Sequence, residues 1–130
     1  MEEPTAELDR VAKQIVDSAF AVHTTFGPGL LEVVYETCLG LELTARGIAV
    51  RRQVQLPLVY KRTLLDTGFR VDMLVGGAII VEIKAVERLM PVHGSQLFTY
   101  LKLAGLRLGL LINFNVPLIK DGIRRVIAST

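Results

Sequence analysis

The chain has no tryptophan, one cysteine and two histidines in 130 residues, and its net charge is only +2. A lone Cys38 excludes an internal disulfide. It sits in an apolar helical stretch and reads as a small core residue, not a nucleophile, which fits a reducing, cytoplasmic setting. No zinc pattern, Ser-His-Asp set or phosphate-binding glycine loop is present; Gly27-Pro28-Gly29 precedes a helix but lacks the lysine and spacing of a P-loop. No apolar run is long enough to cross a membrane, and no signal core follows the acidic start Met1-Glu2-Glu3-Pro4. A soluble protein with no membrane partner is expected. The small net charge does not by itself argue for nucleic acid, and the pairs Arg51-Arg52, Lys61-Arg62 and Arg124-Arg125 read as solvated surface. There are no internal repeats.

What is present is a rich core, with 51% hydrophobic and 22% charged residues. The length suits one domain over 1–130, with 1–7 a loose N-terminal tail. Helical spacing runs from about Thr5 to Thr25 and stops before Gly27-Pro28-Gly29. A second helix is predicted from about Leu30 to Arg46, closed by Gly47. Strands follow at Ile48–Val59, Leu64–Val75 and Ile79–Val86. A third helix spans about Val92–Ala104, another buried strand Leu106–Phe114, and the tail Ile119–Ile127 holds one short element. Strand, helix and strand make a βαβ crossover, so Ile79–Val86 and Leu106–Phe114 should be parallel neighbours. The fold class is α/β (α+β mixed): a mixed sheet flanked by helices.

Ala78–Val86 is apolar on both faces except at Glu82 and Lys84, which share one face. Such a strand belongs in the covered middle of a sheet, where charged groups are costly unless paired or bound to an ion. Register then ties in Asp72. A three-residue loop, Gly76-Gly77-Ala78, sets Val75 opposite Ile79 and Asp72 opposite Glu82 on one face, whereas a two-residue Gly-Gly loop would separate the acids. We expect the three-residue register.

Two converging carboxylates are oxygen ligands for a hard cation such as Mg²⁺ or Mn²⁺. Such an ion polarises a phosphoryl oxygen and lowers the pKa of its water, while Lys84 would hold the attacking water and offset charge on phosphorus. Glu32 shares a helical stripe with Leu39 and Leu43 and could face the sheet; an acid in a first helical turn is also favourable through the helix dipole alone. His93, Gln96 and Tyr100 form a polar stripe on the third helix. Gln96 could reach a phosphate, whereas His93, near the helix start, reads as a capping or surface residue.

Asp72 followed by Glu82-Ile83-Lys84 on a hairpin flanked by helices resembles the PD-(D/E)xK nuclease superfamily, whose core order is α-β-β-β-α-β. More narrowly, Gly29-Leu-Leu-Glu32-Val-Val-Tyr35 resembles the signature of the GxxExxY proteins, a small bacterial and archaeal family placed in that superfamily. The similarity continues through Phe69-Arg-Val-Asp72, Val81-Glu-Ile-Lys-Ala85, Pro91-Val-His93, Gln96-Leu-Phe-Thr-Tyr-Leu101 and Gly109-Leu-Leu-Ile-Asn-Phe114. It implies Asp72, Glu82 and the Ile83 carbonyl as metal ligands, with Glu32 a candidate fourth. It also implies Lys84 as the catalytic lysine and Gln96 as the polar residue of the following helix. Val71 stands where the superfamily name has proline, a position that carries no chemistry.

The resemblance thus implies a divalent-metal-dependent nuclease or nuclease-like enzyme that hydrolyses phosphodiester bonds of DNA or RNA. The rival is a nucleic-acid- or protein-binding module that keeps the fold without cutting; the weak net basicity leans toward it. A third reading makes the acids and Lys84 a structural ion-pair network. A core this small has no added domain for reading sequence, so specificity would need a homodimer or a protein partner.

Overall fold

The computed structural model describes residues 5–129. Helix α1 (Ala6–Phe26) starts where the Thr5 hydroxyl accepts the Leu8 N–H at 3.2 Å. Glu7 and Asp9 occupy its first turn, where the helix dipole favours acids. Of the loose tail expected over 1–7, Thr5 instead caps the helix and residues 6 and 7 belong to it, while residues 1–4 lie outside the described residues. Helix α2 (Glu32–Ala45) ends as expected at Gly47, which takes φ 80°, and the Ile48 N–H returns to the Leu43 carbonyl at 3.0 Å.

Five strands follow: β1 (Val50–Tyr60), β2 (Thr63–Val75), β3 (Ile79–Lys84), β4 (Leu108–Asn113) and β5 (Ile123–Ile127), joined in the order β1-β2-β3-β4-β5. β3 and β4 are parallel and linked by helix α3 (Pro91–Ala104); the other pairs are antiparallel. The mixed sheet and the α-β-β-β-α-β order agree with expectation. The short element expected in the tail is β5, which follows a 3₁₀ turn at Ile119–Gly122 and pairs with β4.

Helices α1 and α2 cover one face, where Ile15, Ala19, Leu39 and Leu43 pack against Val75, Ile79, Val81, Ile83, Leu108 and Ile112. α3 covers the other, with Leu97 and Leu101 against Val71, Ile80 and Leu111. Each such side chain taken from water stabilises the fold by about 1.5–3 kcal/mol. α3 comes close because β4 carries Gly109 beneath it: a Cβ there would lie 2.9 Å from Leu97 Cδ1. Every residue of β4 is buried, and so is β3 from Ile79 to Ile83. Cys38 is half-buried against the α1/α2-side core, as its apolar setting implies.

No helix among the described residues is long and apolar enough to cross a membrane.

Candidate active site

The loop before α2 is fixed by Tyr35, which is fully buried and stacks on Phe114 with ring centroids 4.6 Å apart. Its hydroxyl donates to the Gly27 carbonyl at 2.6 Å and accepts the Leu30 N–H at 3.1 Å. Tyr35 thus holds Gly27-Pro28-Gly29 in place and sets where α2 begins. Glu32 is its first residue, exposed, and its carboxylate accepts the Ala85 N–H at 3.2 Å, one residue beyond Lys84.

β2 and β3 pair as Val75↔Ile79, Leu74↔Ile80 and Met73↔Val81. The loop is the three-residue one, with Gly76 and Gly77 at φ 62° and 69° and the Ala78 N–H bonded to the Val75 carbonyl at 3.1 Å. The ladder ends at Met73↔Val81, and one step further Asp72 and Glu82 meet through their carboxylates and not as a ladder pair. The Asp72 N–H donates to Glu82 Oε2 at 2.7 Å, and the Ile83 N–H donates to Asp72 Oδ2 at 2.8 Å. Each acid has one oxygen tied to backbone, which fixes both carboxylates relative to the strands.

Glu82 is only 6% exposed, and its carboxyl is pushed up to about 7, first by burial and then by the neighbouring charge of Asp72. Glu36 adds to the rise; the Asp72 N–H and the Lys84 charge oppose it. Lys84 is half-buried and, among the described residues, forms no ion pair with either acid. The direct ion pairs of the structural-network reading are thus not formed by Lys84 among the described residues, although its charge still favours ionised Glu82.

On α3, the Tyr100 hydroxyl is pushed above its ordinary value of 10.0, first by burial and then by the charges of Glu82 and Asp72. Its ring stacks on Phe69 at 4.8 Å. Gln96 lies one turn earlier, exposed, and its side chain has no hydrogen bond among the described residues. His93 Nδ1 accepts the Met90 N–H at 2.9 Å, the capping role its position suggested. Asn113, buried at the end of β4, accepts the Val86 N–H and donates to the Val86 carbonyl at 3.0 and 2.9 Å, fixing the chain as it leaves β3.

Two neighbours of the acids escape sequence reasoning. Glu36 is 6% exposed on α2 and accepts Arg52 Nε and Gln53 Nε2, both at 2.9 Å. Gln53, on β1, also reaches Asp72 Oδ1 at 3.5 Å. One signal was available: Glu36 follows Glu32 by four residues, so both acids lie on one stripe of α2.

No group of three or more His, Cys, Asp or Glu side chains among the described residues could together hold a metal ion. Glu32 therefore does not join Asp72 and Glu82 in a three-carboxylate cluster; its carboxylate is spent on the Ala85 N–H. The donor set still fits a hard divalent cation. Two crowded carboxylates, one of them raised to about 7, have oxygens left over from their backbone bonds, and Mg²⁺ is commonly held by one or two carboxylates with water completing its shell.

No curated protein and no solved structure matches the chain. The profile of the PD-(D/E)XK nuclease superfamily matches residues 9–126. That match spans both acids, the lysine and strands β1 to β4, and the chain belongs to the PD-(D/E)XK nuclease superfamily.

Proposed function

We propose that the protein is a divalent-metal-dependent nuclease of the GxxExxY kind, hydrolysing phosphodiester bonds of DNA or RNA in the cytoplasm. The observation that carries this reading is the reciprocal locking of Asp72 and Glu82 through backbone N–H groups, with an uncommitted Lys84 two residues along the same strand. A fold needing only stability would place apolar residues at these covered positions. The GxxExxY reading is supported by Tyr35, whose hydroxyl bonds Gly27 and Leu30 on either side of Gly29.

Asp72 and Glu82 would hold Mg²⁺ or Mn²⁺, with the Ile83 carbonyl as a third oxygen. When bound, the ion polarises the scissile phosphoryl group. Lys84 holds the attacking water by hydrogen bonding and offsets the negative charge that grows on the phosphoryl oxygens. Glu32 fixes the backbone just past Lys84, and so sets where that ammonium sits. Gln96 and Tyr100 present hydrogen-bond donors from α3 on the acid side of the sheet.

The test is incubation of pure protein with supercoiled DNA, single-stranded DNA and RNA, with Mg²⁺ or Mn²⁺ against chelator. Metal-dependent cleavage that drops by about 100-fold or more in Lys84→Ala is expected. Cleavage by Lys84→Ala equal to wild type contradicts the mechanism. Metal binding without cleavage of any substrate supports the non-cutting module instead.

A further inference from the structure

Three non-glycine residues among those described have positive φ, and all three lie on the β1–β2 hairpin: Gln53 at 51°, Lys61 at 49° and Arg62 at 66°. Such a backbone costs on the order of 1–2 kcal/mol per residue. The hairpin is thus strained at two separate places, and each presents a polar or charged side chain.

Gln53 lies in mid-strand, opposite Asp72 in the register set by Arg52↔Met73 and Val54↔Val71. Its amide nitrogen donates to Glu36 Oε1 at 2.9 Å and to Asp72 Oδ1 at 3.5 Å, which uses both of its hydrogens. Asp72 Oδ2 already accepts the Ile83 N–H, so Oδ1 is the oxygen still to be oriented, and Gln53 is the side chain that reaches it. Glu36 is anchored in turn by Arg52. We propose that Gln53 is a positioning residue: it ties the Asp72 carboxylate to the buried Glu36 of α2 and so aims Oδ1 at a divalent cation. This rests on the metal-site reading above.

The test pairs Mn²⁺ titration calorimetry with thermal unfolding of the chelator-treated protein. Gln53→Gly removes the amide and the strain together. It should unfold at an equal or higher temperature yet bind Mn²⁺ about 10- to 100-fold more weakly, the usual effect of losing an outer-shell partner. Gln53→Ala keeps the strain, and should show the same loss of affinity with a lower unfolding temperature. Unchanged Mn²⁺ affinity in Gln53→Gly overturns the positioning role and leaves the metal site standing. A wild-type protein that binds no Mn²⁺ overturns both.

The second strained place is the hairpin tip. Tyr60 pairs with Thr63, leaving Lys61-Arg62 as a two-residue turn with both φ positive, where Asn-Gly is the favoured pair. Tyr60, Lys61 and Arg62 are exposed, with the Lys61 ammonium 5.5 Å from the centroid of the Tyr60 ring. No described residue from Pro57 to Gly68 belongs to either core, so packing does not account for the choice. Lys61 lies eight residues on from Gln53, a span of about 26 Å, or about eight steps along one strand of a duplex. We infer that this tip contacts the phosphate backbone of a nucleic acid whose scissile bond lies at Asp72 and Glu82, which extends the nuclease reading to a second point of contact.

Anisotropy of labelled DNA and RNA duplexes long enough to span both points, titrated in chelator across a salt series, tests it. The double variant Lys61→Asn/Arg62→Gly installs the favoured turn pair, so its unfolding temperature should rise. Its affinity should fall, and the slope of log K against log salt should flatten by about 2, the sum for two lost phosphate contacts. An affinity and slope equal to wild type overturn the tip contact while sparing the active site. A wild-type protein that binds neither duplex overturns the tip contact and removes double-stranded nucleic acid as the substrate.

Discussion

The two ends of the β2–β3 pairing obey different rules. Toward the loop, Met73, Val75, Ile79 and Val81 are fully buried and the ladder is regular. One step beyond Met73 and Val81, carboxylates take over as backbone acceptors and Glu82 is held at an unfavourable charge. Apolar burial at the first end stabilises the strands; at the second, the same strands carry a group whose ionisation works against the fold. The lesson is that stability and chemistry are separated along a strand by a single residue pair.

The largest effect on the fold should come from the loop end. Ile79→Ala leaves a void in a fully buried site and should destabilise by about 2–5 kcal/mol. Denaturant unfolding measures this, and a loss no larger than that of a surface substitution would erase the contrast between the two ends.

At the acid end the sign is reversed. The Glu82 carboxyl titrates near 4.5 when unfolded and near 7 when folded. Below pH 4.5 it is protonated in both states. As pH rises toward 7 the unfolded chain releases its proton first, so this group's contribution to stability falls, by about 3 kcal/mol in all. Without added metal, Glu82→Gln should flatten that decline and be more stable than wild type at pH 8. Stability profiles of the two proteins that run parallel from pH 5 to pH 8 would contradict this account of the acid end.

A smaller effect is expected for Tyr35→Phe, which keeps the stack on Phe114 and loses two hydrogen bonds to the glycine loop. It should cost about 1–2 kcal/mol, and hydrogen exchange should rise at Leu30, whose N–H loses its acceptor. Protection at Leu30 that stays unchanged would show that the loop does not depend on the hydroxyl.

Much of this was legible in the sequence because it rests on period and loop length. The alternation of two along Ile79–Lys84 and the three residues between Val75 and Ile79 suffice to bring Asp72 to Glu82. Other features depend on partners distant in sequence. Glu36 is buried only because Arg52 and Gln53, 16 and 17 residues later, come back to it. Gln53 reads as an ordinary polar residue of an alternating strand, and nothing local announces its positive φ. β5, Ile-Arg-Arg-Val-Ile, has a charged centre and becomes a strand by pairing with the fully buried β4. The freedom of the Lys84 ammonium was likewise invisible, since charge alternation alone favours an ion pair.

The central claim is that Asp72 and Glu82 form a divalent-cation site, and Mn²⁺ titration calorimetry on wild type, Asp72→Ala and Glu82→Gln at pH 6 and pH 8 tests it most directly. The account predicts binding by wild type that is about tenfold tighter at pH 8, because Glu82 must release its proton to bind, and no binding by either variant. Wild-type protein without Mn²⁺ binding at pH 8, or binding that survives in both variants, would contradict it.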